Sequence, residues 1–219
     1  MRPSTPATLL TALLALTGCQ HDVVTPFPAG LEPLATCTPG LPAARADGSV
    51  DESFNSDASD GDDGIWAHLC GYVDADVDSV WGALQDVDVV TDRRKVSSWE
   101  LVSQGADPPY DVVFTLHDRV EDIMTVEYDL QWREGVWEEQ DGVPSSVAVR
   151  WQKTDGTSFI NVLEGSILVQ QDDSGAVSME VVEHLDAPFY QADAVQTYLQ
   201  DLHGSVVAWV HGEPLPTYD

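Results

Sequence analysis

Basic side chains are scarce: nine Lys and Arg stand against 38 Asp and Glu in 219 residues, a formal charge of −29. A chain so acidic is repelled by nucleic acid and by anionic lipid headgroups, which excludes DNA, RNA and polybasic membrane docking. Cysteine is nearly absent as well. With three cysteines and no Cys-x-x-Cys pair, neither a thioredoxin-type redox site nor a cysteine-rich zinc centre has support. His21, His68, His117, His184, His203 and His211 make no His-x-x-x-His or His-Glu-x-x-His pattern, so no catalytic metal is expected. The chain lacks a Gly-x-Ser-x-Gly elbow and a glycine-rich phosphate loop, which disfavours covalent hydrolysis and nucleotide binding. No cofactor is expected.

Long apolar runs are also missing. The longest useful one, Leu9-Leu10-Thr11-Ala12-Leu13-Leu14-Ala15-Leu16, follows a single Arg2 and is too short to cross roughly 30 Å of hydrocarbon. It has the length of a signal-peptide core. Its end, Leu16-Thr17-Gly18-Cys19, resembles the bacterial lipobox, in which the cysteine is lipidated before cleavage. The expectation is a signal peptide over 1–18 and a bacterial envelope protein anchored only through Cys19; an ordinary secretory signal is the alternative. Gln20, where an aspartate would retain the protein at the inner membrane, points by the same resemblance to the outer membrane. Export puts Cys37 and Cys70 in an oxidising compartment, where a pair is a candidate disulfide; two free thiols are the competing reading.

Residues 19–64 read as a Pro-rich and then acidic tether, with Pro26, Pro28, Pro33, Pro39 and Pro42 keeping the first part extended. Asp57, Asp60, Asp62 and Asp63 offer oxygens to calcium, but their spacing misses the EF-hand pattern and a solvated linker is the simpler reading. Order is expected over 65–216. Ile65 to Val73 reads as a strand, followed by an amphipathic helix through Val77, Val80, Trp81 and Leu84 with Asp76 as its cap. A short helical piece covers Val87 to Thr91, and Val96 to Val102 is the next strand. Tyr110 to His117, Met124 to Arg133, Val147 to Trp151, Leu163 to Val169 and Val177 to Val181 alternate with period two, each with one buried and one wet face. A last helix follows Pro188, with Val195, Tyr198, Leu199, Leu202, Val206, Trp209 and Val210 on one stripe and Gly212 and Pro214 at its end. No long helix separates the strands, so the class is α+β: a curved antiparallel sheet of about six to seven strands around a long C-terminal helix.

Val73-Asp74-Ala75-Asp76-Val77-Asp78-Ser79-Val80-Trp81, Leu163-Glu164-Gly165-Ser166-Ile167-Leu168 and the stretch from Gly175 to Pro188 resemble the START-like superfamily. That superfamily includes Bet v 1-type and polyketide cyclase-like proteins, and the resemblance covers Ile65 to Pro216. It implies a helix-grip fold with a hydrophobic cavity between sheet and last helix that takes lipids, sterols or polyketides. It carries over no catalytic residue.

Tyr128, Trp132 and Trp151 fall on apolar strand faces and Tyr198 and Trp209 on the helix stripe, where they can line a pocket or simply pack the core. Glu183 continues the inward phase of Val177, Met179 and Val181, either as a buried carboxyl with a raised pKa or as a frayed strand end. Asn161 is in phase with Leu163 and is a second polar candidate. The leading expectation is a monomeric envelope lipoprotein binding an apolar or amphipathic small molecule. The alternatives are a cyclase- or aromatase-like enzyme using Glu183, Tyr128 or Asn161, and a filled interaction scaffold.

Overall fold

The computed structural model describes residues 27, 29–43, 49–122, 124–172 and 174–218; the expected signal peptide, Cys19 and Gln20 lie outside them. Eight strands and three helices follow in the order β1 (Phe54–Gly61), β2 (Gly64–Val73), α1 (Val77–Leu84), α2 (Val87–Val90), β3 (Ser98–Asp107), β4 (Tyr110–Glu121), β5 (Thr125–Gln140), β6 (Val143–Gly156), β7 (Val162–Gln171), β8 (Val177–Asp186) and α3 (Ala192–Val210). They form one curved antiparallel sheet of order β1-β2-β8-β7-β6-β5-β4-β3, and α3 lies against its inner face at β1, β2 and β8. Among the described residues no helix is long and apolar enough to cross a membrane.

Side-chain caps start the two short helices. Asp76 caps α1 by accepting from the Ser79 backbone N–H at 2.7 Å, and Asp86 does the same for α2 through Asp88 at 2.9 Å. The period-two strands bury what their alternation predicts: Tyr128, Leu130 and Trp132 on β5, and Val177, Met179, Val181 and Glu183 on β8.

Two features revise the expected layout. The sheet has eight strands rather than six to seven, because β1 lies within the stretch read as tether. Its sequence, Phe-Asn-Ser-Asp-Ala-Ser-Asp-Gly, has no apolar alternation. Its inward residues are small and polar: Ala58 packs against the core, and the Ser56 hydroxyl accepts from Gln196 and Gln200 of α3. The Pro-rich segment is not free either. Phe27 lies under the Arg133 guanidinium of β5 at 4.0 Å. Further on, the Glu32 carbonyl accepts from Arg150 of β6 at 2.9 Å and the Leu34 N–H donates to Ser166 of β7 at 2.8 Å. Cys37 is joined by a disulfide to Cys70 of β2, and the Gly40 carbonyl accepts from Asn55 of β1. The segment therefore straps the outer face from β5 to β1. Most of its hydrogen bonds use main-chain groups, which leave no hydrophobic period in the sequence. Beneath it, the outward residues Ala148, Arg150 and Gln152 of β6 are buried rather than wet.

Candidate functional site

One row of residues crosses the inner face. Paired directly opposite one another from β4 to β2 are Phe114, Trp132, Trp151, Gly165, Glu183 and Ala67. The first three are aromatic and fill their end: Phe114 and Trp132 stack at 5.8 Å between centroids, Trp132 and Trp151 at 4.8 Å. The Trp151 indole spreads over Gly165, where an added Cβ would lie 2.0 Å from the ring. Beyond it the row holds a glycine, a carboxylic acid and an alanine, and there the layers do not close.

The result is an internal cavity of about 50 Å³ between the sheet, α3 and the turn after α2. At roughly 10–15 Å³ per water, it holds about four waters. Leu116, Leu130, Leu163, Leu185 and Val195 supply apolar wall; Asp92, Asp118, Tyr128, Glu183, Tyr190 and Tyr198 supply the polar groups. Tyr128, Trp151, Glu183 and Tyr198 are thus brought together. Trp132 is not: it is fully buried one strand away, inside the aromatic stack. Asn161 is not either, because β7 begins at Val162 and the inward phase stops there; Asn161 is exposed and donates to the Asp186 carboxylate at 3.0 Å. Trp209 faces away from the cavity and donates to Asp86. Three lining residues escaped the sequence reading. Asp118 was recoverable, since it extends the inward series Phe114, Leu116 by one more step; Asp92 and Tyr190 sit in connections without periodicity.

The electrostatics are unusual for an apolar wall. Glu183 is 4% exposed and lies mid-strand rather than at a frayed end. Burial, with the Asp92 carboxylate nearby, holds its pKa well above the usual carboxylate range. Asp118, 3% exposed, is pushed up to about 7 by burial; His117 opposes the shift, while Asp129 and Asp92 add to it. Asp92 is also raised by burial, against stabilising backbone N–H groups of Arg94 and Lys95. Burial raises Tyr190 to about 12 and Tyr128 and Tyr198 well above their ordinary value. Tyr198 donates its hydroxyl to the Val90 carbonyl at 2.8 Å, tying α3 to α2 above the cavity. Asp118 Oδ1 and Glu183 Oε2 are buried and have no hydrogen-bond partner among the described residues. Burial favours the protonated form of Glu183, which can donate and accept, and Asp118 stands where it can hold or release a proton.

A wider hollow of about 450 Å³ opens on the surface at His117, Glu127, Asp129 and Asp155 to Thr157, where His117 Nδ1 meets Asp129 at 2.7 Å. It is a solvent-filled groove with a charged rim, and its size does not outweigh the enclosure of the inner cavity. Among the described residues no three His, Cys, Asp or Glu side chains are grouped to hold a metal.

The strand order, the curvature of the sheet and the helix gripped against it define the START/Bet v 1-like fold, and this chain has it. Human StAR-related lipid transfer protein 5 is similar over 74% of this chain and 84% of its own, with a TM-score of 0.51 and 10% identity. The lipid transfer and protein localization domain of human StarD13 gives 0.49 and 11%, over 75% and 85%. The Zhui aromatase/cyclase from Streptomyces sp. R1128 gives 0.43 and 11%, over 67% and 91%. No family model and no curated protein matches the chain. At 10% identity the likeness to the first of these bears on the fold alone and leaves the chemistry to the site.

Proposed function

We propose that this protein is a bacterial envelope lipoprotein whose domain takes up an apolar or amphipathic small molecule between sheet and α3. The observation that carries the reading is the partly open cavity, apolar on most sides and provided with a few convergent polar groups, between the sheet and α3. Its present volume is far below the roughly 300–1,000 Å³ of a drug-sized site. Uptake therefore requires the α2 turn and the connection from β8 to α3 to move outward from Tyr198 and Tyr190.

The strap supports a close approach to the membrane. With Phe27 tied to β5, the eight residues from a lipidated Cys19 reach at most about 29 Å. The domain then rides near the bilayer surface instead of swinging on a 46-residue tether, the length of 19–64. Native mass spectrometry of the full chain purified from its own membranes tests the uptake reading. A non-covalent small-molecule adduct on a lipidated Cys19 chain is the expected result. An unloaded chain that takes up no alkanol probe would overturn it and favour the filled scaffold.

A proton-transfer enzyme is the second reading, favoured by two buried carboxyls, Asp118 and Glu183, whose pKa values burial raises in one cavity. It requires a rate profile with an inflection near pH 7 that disappears in Asp118→Asn.

A further inference from the structure

The cavity displays a specific shortage. Asp118 Oδ1 and Glu183 Oε2 are buried, lack hydrogen-bond donors and belong to side chains that line the space. Asp92 adds a third carboxyl to the wall. The Tyr198 hydroxyl is already committed to Val90, and the Lys153 ammonium donates to the carbonyls of Thr157 and Ile160. What the site asks for is a compact group with several donors and positive charge.

We infer that the cavity recognises a primary ammonium group, so that its ligand is an amphipathic amine. The inference deepens the small-molecule reading and rests on it. A fatty-acid carboxylate or a phosphate headgroup brings negative charge and no N–H to oxygens that lack a donor. An alcohol or sterol hydroxyl brings one donor for two orphan oxygens. A quaternary ammonium brings charge but no N–H, so the oxygens stay unsatisfied. An alkylammonium brings three donors and a charge, and its head is of the size of the few waters the cavity holds. Its alkyl part then lies against Leu116, Leu130, Leu163 and Leu185.

Calorimetric titration of the full chain with octylamine, 1-octanol and octyltrimethylammonium separates these cases. At about pH 7 octylamine is protonated, as lysine is. The expected result is octylamine binding about tenfold or more tighter than either of the others, the increment of a charge-assisted hydrogen bond. In Asp118→Asn/Glu183→Gln the preference for octylamine over octanol disappears. Both substitutions keep side-chain volume and remove a burial penalty, and urea denaturation of the variant verifies its fold. Equal affinity for octylamine and octanol overturns the ammonium inference and leaves the apolar cavity intact. A preference that survives in the double variant, or vanishes in 0.5 M salt, reflects the acidic surface and overturns it too. If no probe binds, the small-molecule reading itself falls.

Discussion

The two ends of one inner face are built on opposite principles. At the β4–β6 end, Phe114, Trp132 and Trp151 occupy directly opposed positions and stack until no space remains. At the β7–β2 end the same row continues as Gly165, Glu183 and Ala67, with Asp118 and Asp92 facing the gap from other elements. The filled end stabilises the fold through dispersion and area removed from water. The open end does the reverse, keeping carboxyls out of water with two oxygens unsatisfied. A protein that needed only stability would fill both. Orphan acids beside a cavity are tolerated when what they do in the bound state outweighs their burial in the free one.

Truncating the filled end tests the contrast most severely. Trp132→Ala removes the middle of the stack from a site with no exposure and should destabilise by about 3–5 kcal/mol, by lost transfer energy and the cavity left behind. Urea denaturation at two pH values measures it, and the loss should be the same at both. A cost below about 1 kcal/mol would mean that Phe114 and Trp151 collapse together and that the end is less rigidly filled than its geometry indicates.

The open end should respond to pH instead. The folded pKa of Asp118 is raised to about 7 above an ordinary unfolded value, so the folded state keeps a proton that the unfolded chain has lost. Its stabilising contribution is whole below about pH 4, declines as pH rises, and is gone above about 7, at up to about 1.4 kcal/mol per pH unit. Asp118→Asn should therefore gain on the natural chain by about 2 kcal/mol between pH 5 and 7. A difference that stays flat across that window means that Asp118 is ionised in the folded state, and the contrast between the ends is then steric only.

How much of this was legible depended on whether a residue's role is written in periodicity. The β4, β5 and β8 alternations define the inward faces, and both Glu183 and Asp118 stand in the inward phase of their strands, although a polar residue there carries no apolar signal of its own. Phase says which face a side chain takes but not which part of that face is filled, so Trp132 was grouped with a cavity it only backs. Strand limits are weaker still, and Asn161 failed because β7 starts one residue later. The strand β1 was invisible because Ser56 and Ala58 face α3, where small and polar groups fit better than aliphatics. The strap was invisible because most of its hydrogen bonds use main-chain atoms.

A fourth buried carboxyl lies outside the cavity. Glu134 points inward from β5, is fully buried, and accepts from Trp81 Nε1 of α1 at 2.6 Å. Burial raises its pKa to about 8, with the Trp81 hydrogen bond restraining the shift. Unlike the orphan oxygens of Asp118 and Glu183, its Oε2 has a dedicated donor, although among the described residues its Oε1 has none. Trp81→Phe removes that donor and should cost about 1–2 kcal/mol, the penalty of a buried group left unsatisfied. Hydrogen exchange should localise the loss to α1 and β5; an unchanged stability would show that Glu134 gives its bond to water without cost.

The smallest effect concerns the mouth of the open end. Phe189 is 93% exposed and holds φ at 71°, a left-handed conformation that costs an L-residue roughly 1–2 kcal/mol. Its ring contributes little packing, so the position serves through its backbone, turning the chain from β8 toward α3 while Tyr190 faces the cavity. Glycine adopts this φ freely but gives up more unfolded-state freedom, so Phe189→Gly should stabilise by about 0.5–1 kcal/mol, a rise in Tm of about 2 °C. Phe189→Ala keeps the strained backbone and should change stability by less than about 0.5 kcal/mol. Equal gains in the two variants would assign the effect to the exposed ring rather than to the turn. A gain confined to glycine identifies this turn as the place where the open end stores backbone strain, next to the tyrosine that must move for the cavity to accept a guest.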